Sequence, residues 1–202
     1  MLKILIATGN PNKAKELLKI LPAQTLGGQQ ITYLTLADFP NIPEPVEDAP
    51  TLKENAIIKA LCGFKSTGLI SIADDTGLMV DALGGRPGVH SARYAFADRA
   101  DYPANNQKLL EELKNIPQEK RTANFTTVAA LILPDGEIIT KEGRVEGFIA
   151  QDYSGSNGFG YDPLFIVKEC GKTMAEMTTE EKNKISHRAR AFTQMAQVIK
   201  GL

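Results

Sequence analysis

Asp74 and Asp75 follow an apolar run at 69–73 and precede Thr76 and Gly77. Carboxylates are the hard oxygen donors that Mg²⁺ takes, and they can act as general bases toward water. Glu44 and Glu47, on a stretch at 38–50 that carries four prolines, add oxygen donors if that stretch folds over them. The competing reading is that Asp74 caps a turn and Asp75 is solvated. A second chemical feature is the polar turn of Thr8, Gly9, Asn10, Pro11, Asn12 and Lys13, set between an apolar run and a helical pattern. Amide donors and the dipole at a helix start favour an anion there, and Lys13 adds a full charge. It is neither a P-loop nor the dinucleotide fingerprint. As an alternative, Gly9 and Pro11 only punctuate a strand-to-helix connection.

Ser186, His187 and Arg188 pose a geometric question. Successive residues of a continuous helix lie about 100° apart, so His187 and Arg188 would not both face a ligand held by Lys182. If Ser186 instead caps a new helix, the donors crowd its first turn, and that break is the expectation. The alternative is a solvated basic stretch on one amphipathic helix. Phe159, Gly160, Tyr161 and Asp162, followed by Pro163, offer an aromatic face beside glycine backbone. Stacking a base on such a face is worth about 1–3 kcal/mol; a structural turn with core aromatics is the other reading. Taken together, anion-binding turns, carboxylates and a divalent cation form one coherent phosphate chemistry. No Ser/His or Cys/His nucleophile competes with attack by water.

These residues require elements to position them. The periodicities predict a strand at 3–7, a helix from 14 to 21, a strand at 30–36 and a stiffened loop at 38–50. A capping box at Thr51 and Glu54 and a stop at Gly68 predict a helix over 51–66. A strand at 69–73 ends at the two aspartates, as sites in open α/β sheets lie beyond strand ends. A glycine-rich turn at 84–88, a helix at 102–113 and a hairpin of 125–133 with 137–149 follow. A short strand at 164–167, a capping box at Thr178 and Glu181, and a helical pattern over 186–202 complete the chain.

With 202 residues, 43% hydrophobic and 23% charged, the chain matches an ordinary globular protein of one domain, 1–202. A net charge of −1 gives no reason to expect polymeric nucleic acid or an anionic membrane as partner. Cys62 and Cys170, far apart and in no Cys-x-x-Cys arrangement, give no reason to expect a disulfide framework or a zinc site, and two histidines exclude a three-histidine metal site. No apolar span is long enough for a signal core or a membrane helix, so the expectation is a cytoplasmic protein.

The motifs Thr8-Gly-Asn-x-x-Lys13, Glu54-Asn-Ala-x-x-Lys-Ala60, Ala73-Asp-Asp-Thr-Gly-Leu78, Gly84-Gly-x-Pro-Gly88, Ser91-Ala-Arg93, Gly158-Phe-Gly-Tyr-Asp-Pro163, and Glu181-Lys182 with Ser186-His-Arg188 resemble, in order, the inosine/xanthosine triphosphate pyrophosphatase family. The resemblance implies a mixed α/β fold with a long twisted central sheet flanked by helices, in two lobes with a cleft between them, usually as a homodimer. It implies Mg²⁺-dependent hydrolysis of deaminated purine nucleoside triphosphates (ITP, dITP, XTP) to monophosphate and pyrophosphate. By motif, Thr8 to Lys13 would cradle the triphosphate, and Asp75 would be general base and metal ligand beside Thr76. Phe159 to Asp162 would flank the base, and Lys182, His187 and Arg188 would contact base or phosphates. The family often has Gly-x-Thr-Phe before its second helix where this chain has Ala-Pro-Thr-Leu, which leaves Glu44 and Glu47 both open as the acidic-loop ligand.

Arg188 is the natural selector of a 6-keto purine, because its fixed fork of donors meets the keto acceptor and opposes adenine's amino donor. Two alternatives remain. A related pyrophosphatase acting on dTTP or UTP is separated by a nucleotide panel, and a non-catalytic nucleotide-binding module by pyrophosphate release.

Overall fold

The computed structural model describes residues 1–202. In chain order the elements are β1 (Leu2–Ile6), α1 (Pro11–Ile20), β2 (Ile31–Thr35), α2 (Leu52–Thr67), β3 (Ile70–Val80), β4 (Pro87–Gly88), α3 (Tyr102–Leu113), β5 (Thr122–Ile132), β6 (Ile138–Ile149), β7 (Phe165–Val167), α4 (Thr179–Ile185) and α5 (His187–Lys200). A seven-stranded mixed sheet runs β2-β1-β3-β5-β6-β7, with β4 on β3. The mixed α/β class follows the sequence expectation. The chain forms two compact units, one of residues 1–75, 127–143 and 188–202, the other of 76–126 and 144–187.

In the first unit β1 pairs in parallel with β2, Ile4 opposite Tyr33, and with β3, Ile4 opposite Ile70. Ile4, Leu5 and Ile6 are all fully buried, which is why β1 reads as a continuous apolar run rather than an alternating one. The first core gathers Ile4, Ile6, Leu17, Ile72, Leu131, Phe192 and Met195. Helix α2 starts at the cap Thr51, whose hydroxyl oxygen accepts from Glu54 N, and ends at Gly68 with φ of 69°. Gly63 on α2 is set by close approach: a Cβ there would stand 2.5 Å from Ser71 Oγ and 2.9 Å from Leu5 Cδ2.

In the second unit Tyr94, Leu109, Leu113, Phe125, Tyr161, Phe165 and Met174 form a separate core. Strand β7 runs antiparallel to β6, with Phe148 opposite Ile166. Helix α3 is capped by Asp101, which accepts from Ala104 N at 3.0 Å. Thr178 and Glu181 form the predicted capping box at α4.

Three expectations are corrected. Helix α1 begins at Pro11, not at 14, because Asn10 caps it and proline suits the first position; Pro11, Asn12 and Lys13 are therefore helical first-turn residues. Strand β3 does not stop at 73 but continues to Val80, so Asp74 and Asp75 lie inside a strand, not at its end. Strand β5 begins at Thr122, three residues before the expected 125. No helix is long and apolar enough to cross a membrane.

Candidate active site

The site in the first unit is built on the middle of β3. Successive side chains of a strand point to opposite faces, so Asp74 and Asp75 are not a paired carboxylate; each is met by its own cations. On one side, Asp74 Oδ2 is 3.0 Å from Lys13 Nζ and 3.4 Å from Arg188 Nε. Arg188 Nη1 reaches Glu16 Oε2 at 2.5 Å. On the other, Lys59 Nζ donates to Asp75 Oδ1 and to Glu47 Oε2, both at 2.7 Å.

The two aspartates differ in protonation for a physical reason. Burial alone would raise the Asp74 pKa, but Lys13, Arg188 and Lys59 together overcome it and hold the carboxyl well below the ordinary range. For Asp75 burial prevails over Lys59 and Lys13, and its pKa is raised above the usual carboxylate value. Lys13 is lowered, by burial and then by Lys59 and Arg188, against the pull of Asp74. For Lys59 the carboxylates of Asp75, Glu47 and Asp74 outweigh burial and raise it. A locked anion on one face and a proton-accepting carboxylate on the other is the pattern expected of a reacting centre.

The opening turn orders this centre. Thr8 Oγ1 accepts from Asn10 N at 3.2 Å, and Asn10 Oδ1 accepts from Asn12 N at 2.9 Å and Lys13 N at 3.3 Å. Three amides of the expected anion cradle are thus engaged by side chains, and a phosphate would compete with the Asn10 carboxamide for two of them. Gly9 is exposed at the tip. Of the two acidic-loop glutamates, Glu47 shares Lys59 with Asp75, whereas Glu44 is exposed. The loop is fastened to α2 by Asn55, which accepts from Ala49 N at 3.1 Å and donates to Ala49 O at 3.2 Å.

The second unit holds a different cluster. Asp162 Oδ2 accepts from Phe159 N at 2.8 Å and from Lys182 Nζ at 2.7 Å. A Cβ at Gly158 would fall 2.0 Å from the same carboxylate oxygen, and Gly158 has φ of 77°, so only glycine admits this turn. Lys182 Nζ lies 5.1 Å over the Phe159 ring, a cation–π distance. Gly160 O accepts from Asn106 Nδ2 at 3.0 Å. Tyr161 is core, 4% exposed, with its hydroxyl donating to Ser91 O at 2.9 Å. Thr76 is half-buried one residue after Asp75.

The break at Ser186 is present, with extended backbone at φ −67° and ψ 156° between α4 and α5. His187 stacks on Phe125 with centroids 4.5 Å apart and rings tilted by 17°. Arg188 donates from Nε to Asp74 and from Nη1 to Glu16. Sequence reasoning assigned no role to Lys59, Glu16 or Asn55. Asn55 and Lys59 stand in the motif Glu54-Asn-Ala-x-x-Lys-Ala60, and with Gly63 they lie four residues apart on one helix face, which was the signal for a shared role. Glu16 sits among Lys13, Lys15 and Lys19 and reads as solvated helix charge.

For a divalent metal the donor set is small. No group of three or more His, Cys, Asp or Glu side chains is gathered. The two carboxylates that Lys59 bridges suit Mg²⁺, which takes one or two carboxylates and completes its shell with water and substrate phosphate.

The fold and this site define a mixed α/β protein with an oxygen-rich, cation-lined centre on its central strand. Residues 4–198 match the model of the Ham1 family, and the chain belongs to that family. It is 54% identical over 199 residues to the dITP/XTP pyrophosphatase of Elusimicrobium minutum (strain Pei191), covering 98% of this chain and all of the relative. It is 48% identical to the dITP/XTP pyrophosphatase of Bacillus subtilis (strain 168), covering 98% of each. Among solved structures, a HAM1 protein from Coxiella burnetii matches over the whole of both chains with a TM-score of 0.87 and 38% identity.

Proposed function

We propose that this protein hydrolyses the deaminated purine nucleotides dITP, ITP and XTP to nucleoside monophosphate and pyrophosphate, with Mg²⁺, clearing them from the nucleotide pool. The observation that carries the reading is the division of labour on β3, where Asp74 is locked as an anion while Asp75, with its raised pKa, is held beside Glu47 by one lysine. Asp75 takes a proton from water as the water oxygen attacks the α-phosphorus; the α–β anhydride bond breaks and pyrophosphate departs. Lys13, at the first turn of α1, stabilises charge on the departing group. Asp75 and Glu47 would hold Mg²⁺, which supplies charge neutralisation on the phosphate oxygens. Phe159 would stack on the purine, with Lys182 and Asp162 fixing its ring.

The reading includes a homodimer, tested by a sedimentation mass twice the 21.9 kDa of the chain, and a cytoplasmic setting, where nucleotide pools lie. The deciding assay is pyrophosphate release with Mg²⁺ across dITP, ITP, XTP, GTP, ATP, dTTP and UTP. Release confined to the inosine and xanthosine nucleotides, and abolished in Asp75→Asn, is the expected result. Preference for dTTP or UTP, or turnover by Asp75→Asn within a few-fold of wild type, would refute it.

A further inference from the structure

We infer that the Lys59 ammonium is an internal counter-ion that keeps Glu47 and Asp75 closed to a divalent cation until a triphosphate arrives, so that metal loads with nucleotide and not before it. This rests on the reading of Glu47 and Asp75 as metal ligands and goes one step beyond it. Lys59 Nζ lies 2.7 Å from an oxygen of each, and its side chain is only 11% exposed, beside an Asp75 side chain equally sheltered. An ammonium at that distance from both oxygens occupies the place between them, and like charges so sheltered from water are screened little. A cation entering alone must therefore displace Lys59 from two short ion pairs.

The reward for doing so is small. The chain provides no third carboxylate, histidine or cysteine to complete a metal group, and Mg²⁺ gives up water reluctantly. The charge balance points the same way. Lys13 and Arg188 already pair with Asp74 and Glu16, and Lys59 with Asp75 and Glu47. Three cations against four carboxylates leave little negative charge to attract a free metal ion, yet enough to repel a bare triphosphate. Metal and triphosphate together resolve both problems, since phosphate oxygens supply the missing ligands. The device is pre-set by α2: Asn55 ties the acidic loop through Ala49 one turn before Lys59 on the same helix face. A merely structural ion pair would stabilise the fold without affecting the order of loading.

The test is titration of nucleotide-free protein with Mn²⁺, read from the loss of the free-ion EPR signal. Wild type, Lys59→Met, the charge-retaining Lys59→Arg and the double variant Lys59→Met/Asp75→Asn are compared as full chains. Lys59→Met is expected to take up one Mn²⁺ at least about tenfold more tightly than wild type. Lys59→Arg should stay within about threefold of wild type, and the double variant should lose the gain. If Lys59→Met folds less stably, a larger Mn²⁺-induced rise in Tm than in wild type reports the same effect. Equal Mn²⁺ affinity and equal Tm response in wild type and Lys59→Met would overturn the gating while leaving the pyrophosphatase reading intact. Tight uptake by Lys59→Arg would overturn it as well. Uptake persisting in the double variant would remove Asp75 as a ligand and sink both the gating and that part of the proposed function, which pyrophosphate release by wild type tests separately.

Discussion

Arg188 shows how one residue's neighbours decide its task. Read from the sequence it is a fork of donors awaiting a keto oxygen; in the fold its side chain is 3% exposed and meets Asp74 and Glu16. Removing one member of a buried ion network leaves the other charges uncompensated, at a cost of about 3–5 kcal/mol. Arg188→Ala is therefore expected to lower stability by about that amount in denaturant melts, and to depress turnover of ITP and ATP by the same factor. A role in choosing the base would instead narrow the ITP/ATP ratio while stability held. Measured kcat/KM on both nucleotides beside the melt separates these outcomes, and Arg188→Lys, which keeps the charge but not the fork, should recover only part of the stability.

At the scale of elements, most of the framework is legible from pattern alone. Helix α2 was readable from its cap at Thr51 and its stop at Gly68, and the break at Ser186 from the need to bring donors to one helix start. What escaped was β3 beyond residue 73. A run of Asp74, Asp75, Thr76 and Gly77 reads as a turn because charged residues belong in water, and nothing local reveals that Lys13, Lys59 and Arg188, from three distant helices, supply the compensating charge. Lys59 escaped for the same reason, since its partners are 12 and 16 residues away in sequence. Gly63 belongs to the same helix face and sets how closely α2 lies on Ser71. Gly63→Ala is expected to lose about 1–3 kcal/mol by overpacking, even though alanine favours helix. Because Ser71 Oγ is buried without a hydrogen-bond partner, Ser71→Ala costs little and should return part of that loss in the double variant. A melt in which Gly63→Ala gains stability would show that the helix simply moves outward.

At the scale of the whole molecule, each unit has its own core, and the one carrying the β3 aspartates also carries their pH dependence. Asp74 has a folded pKa below its unfolded value of about 3.9, so its contribution is complete above that value and is lost as pH falls through the folded pKa. Asp75 has the opposite sign: its raised folded pKa means that ionisation works against the fold, and acidification relieves that cost until pH reaches the unfolded value. The two effects separate in pH. Amides of β1 and the first residues of β3 should hold or gain protection as pH falls toward about 4 and lose it steeply below. Hydrogen-exchange protection factors, corrected for the intrinsic pH dependence of exchange, report this segment by segment. Asp74→Asn removes the group responsible for the lower limb, so that variant should begin less stable near neutrality and show a smaller further loss below about pH 4. An equally steep acid loss in Asp74→Asn would move the acid sensitivity away from the buried network and onto the exposed carboxylates.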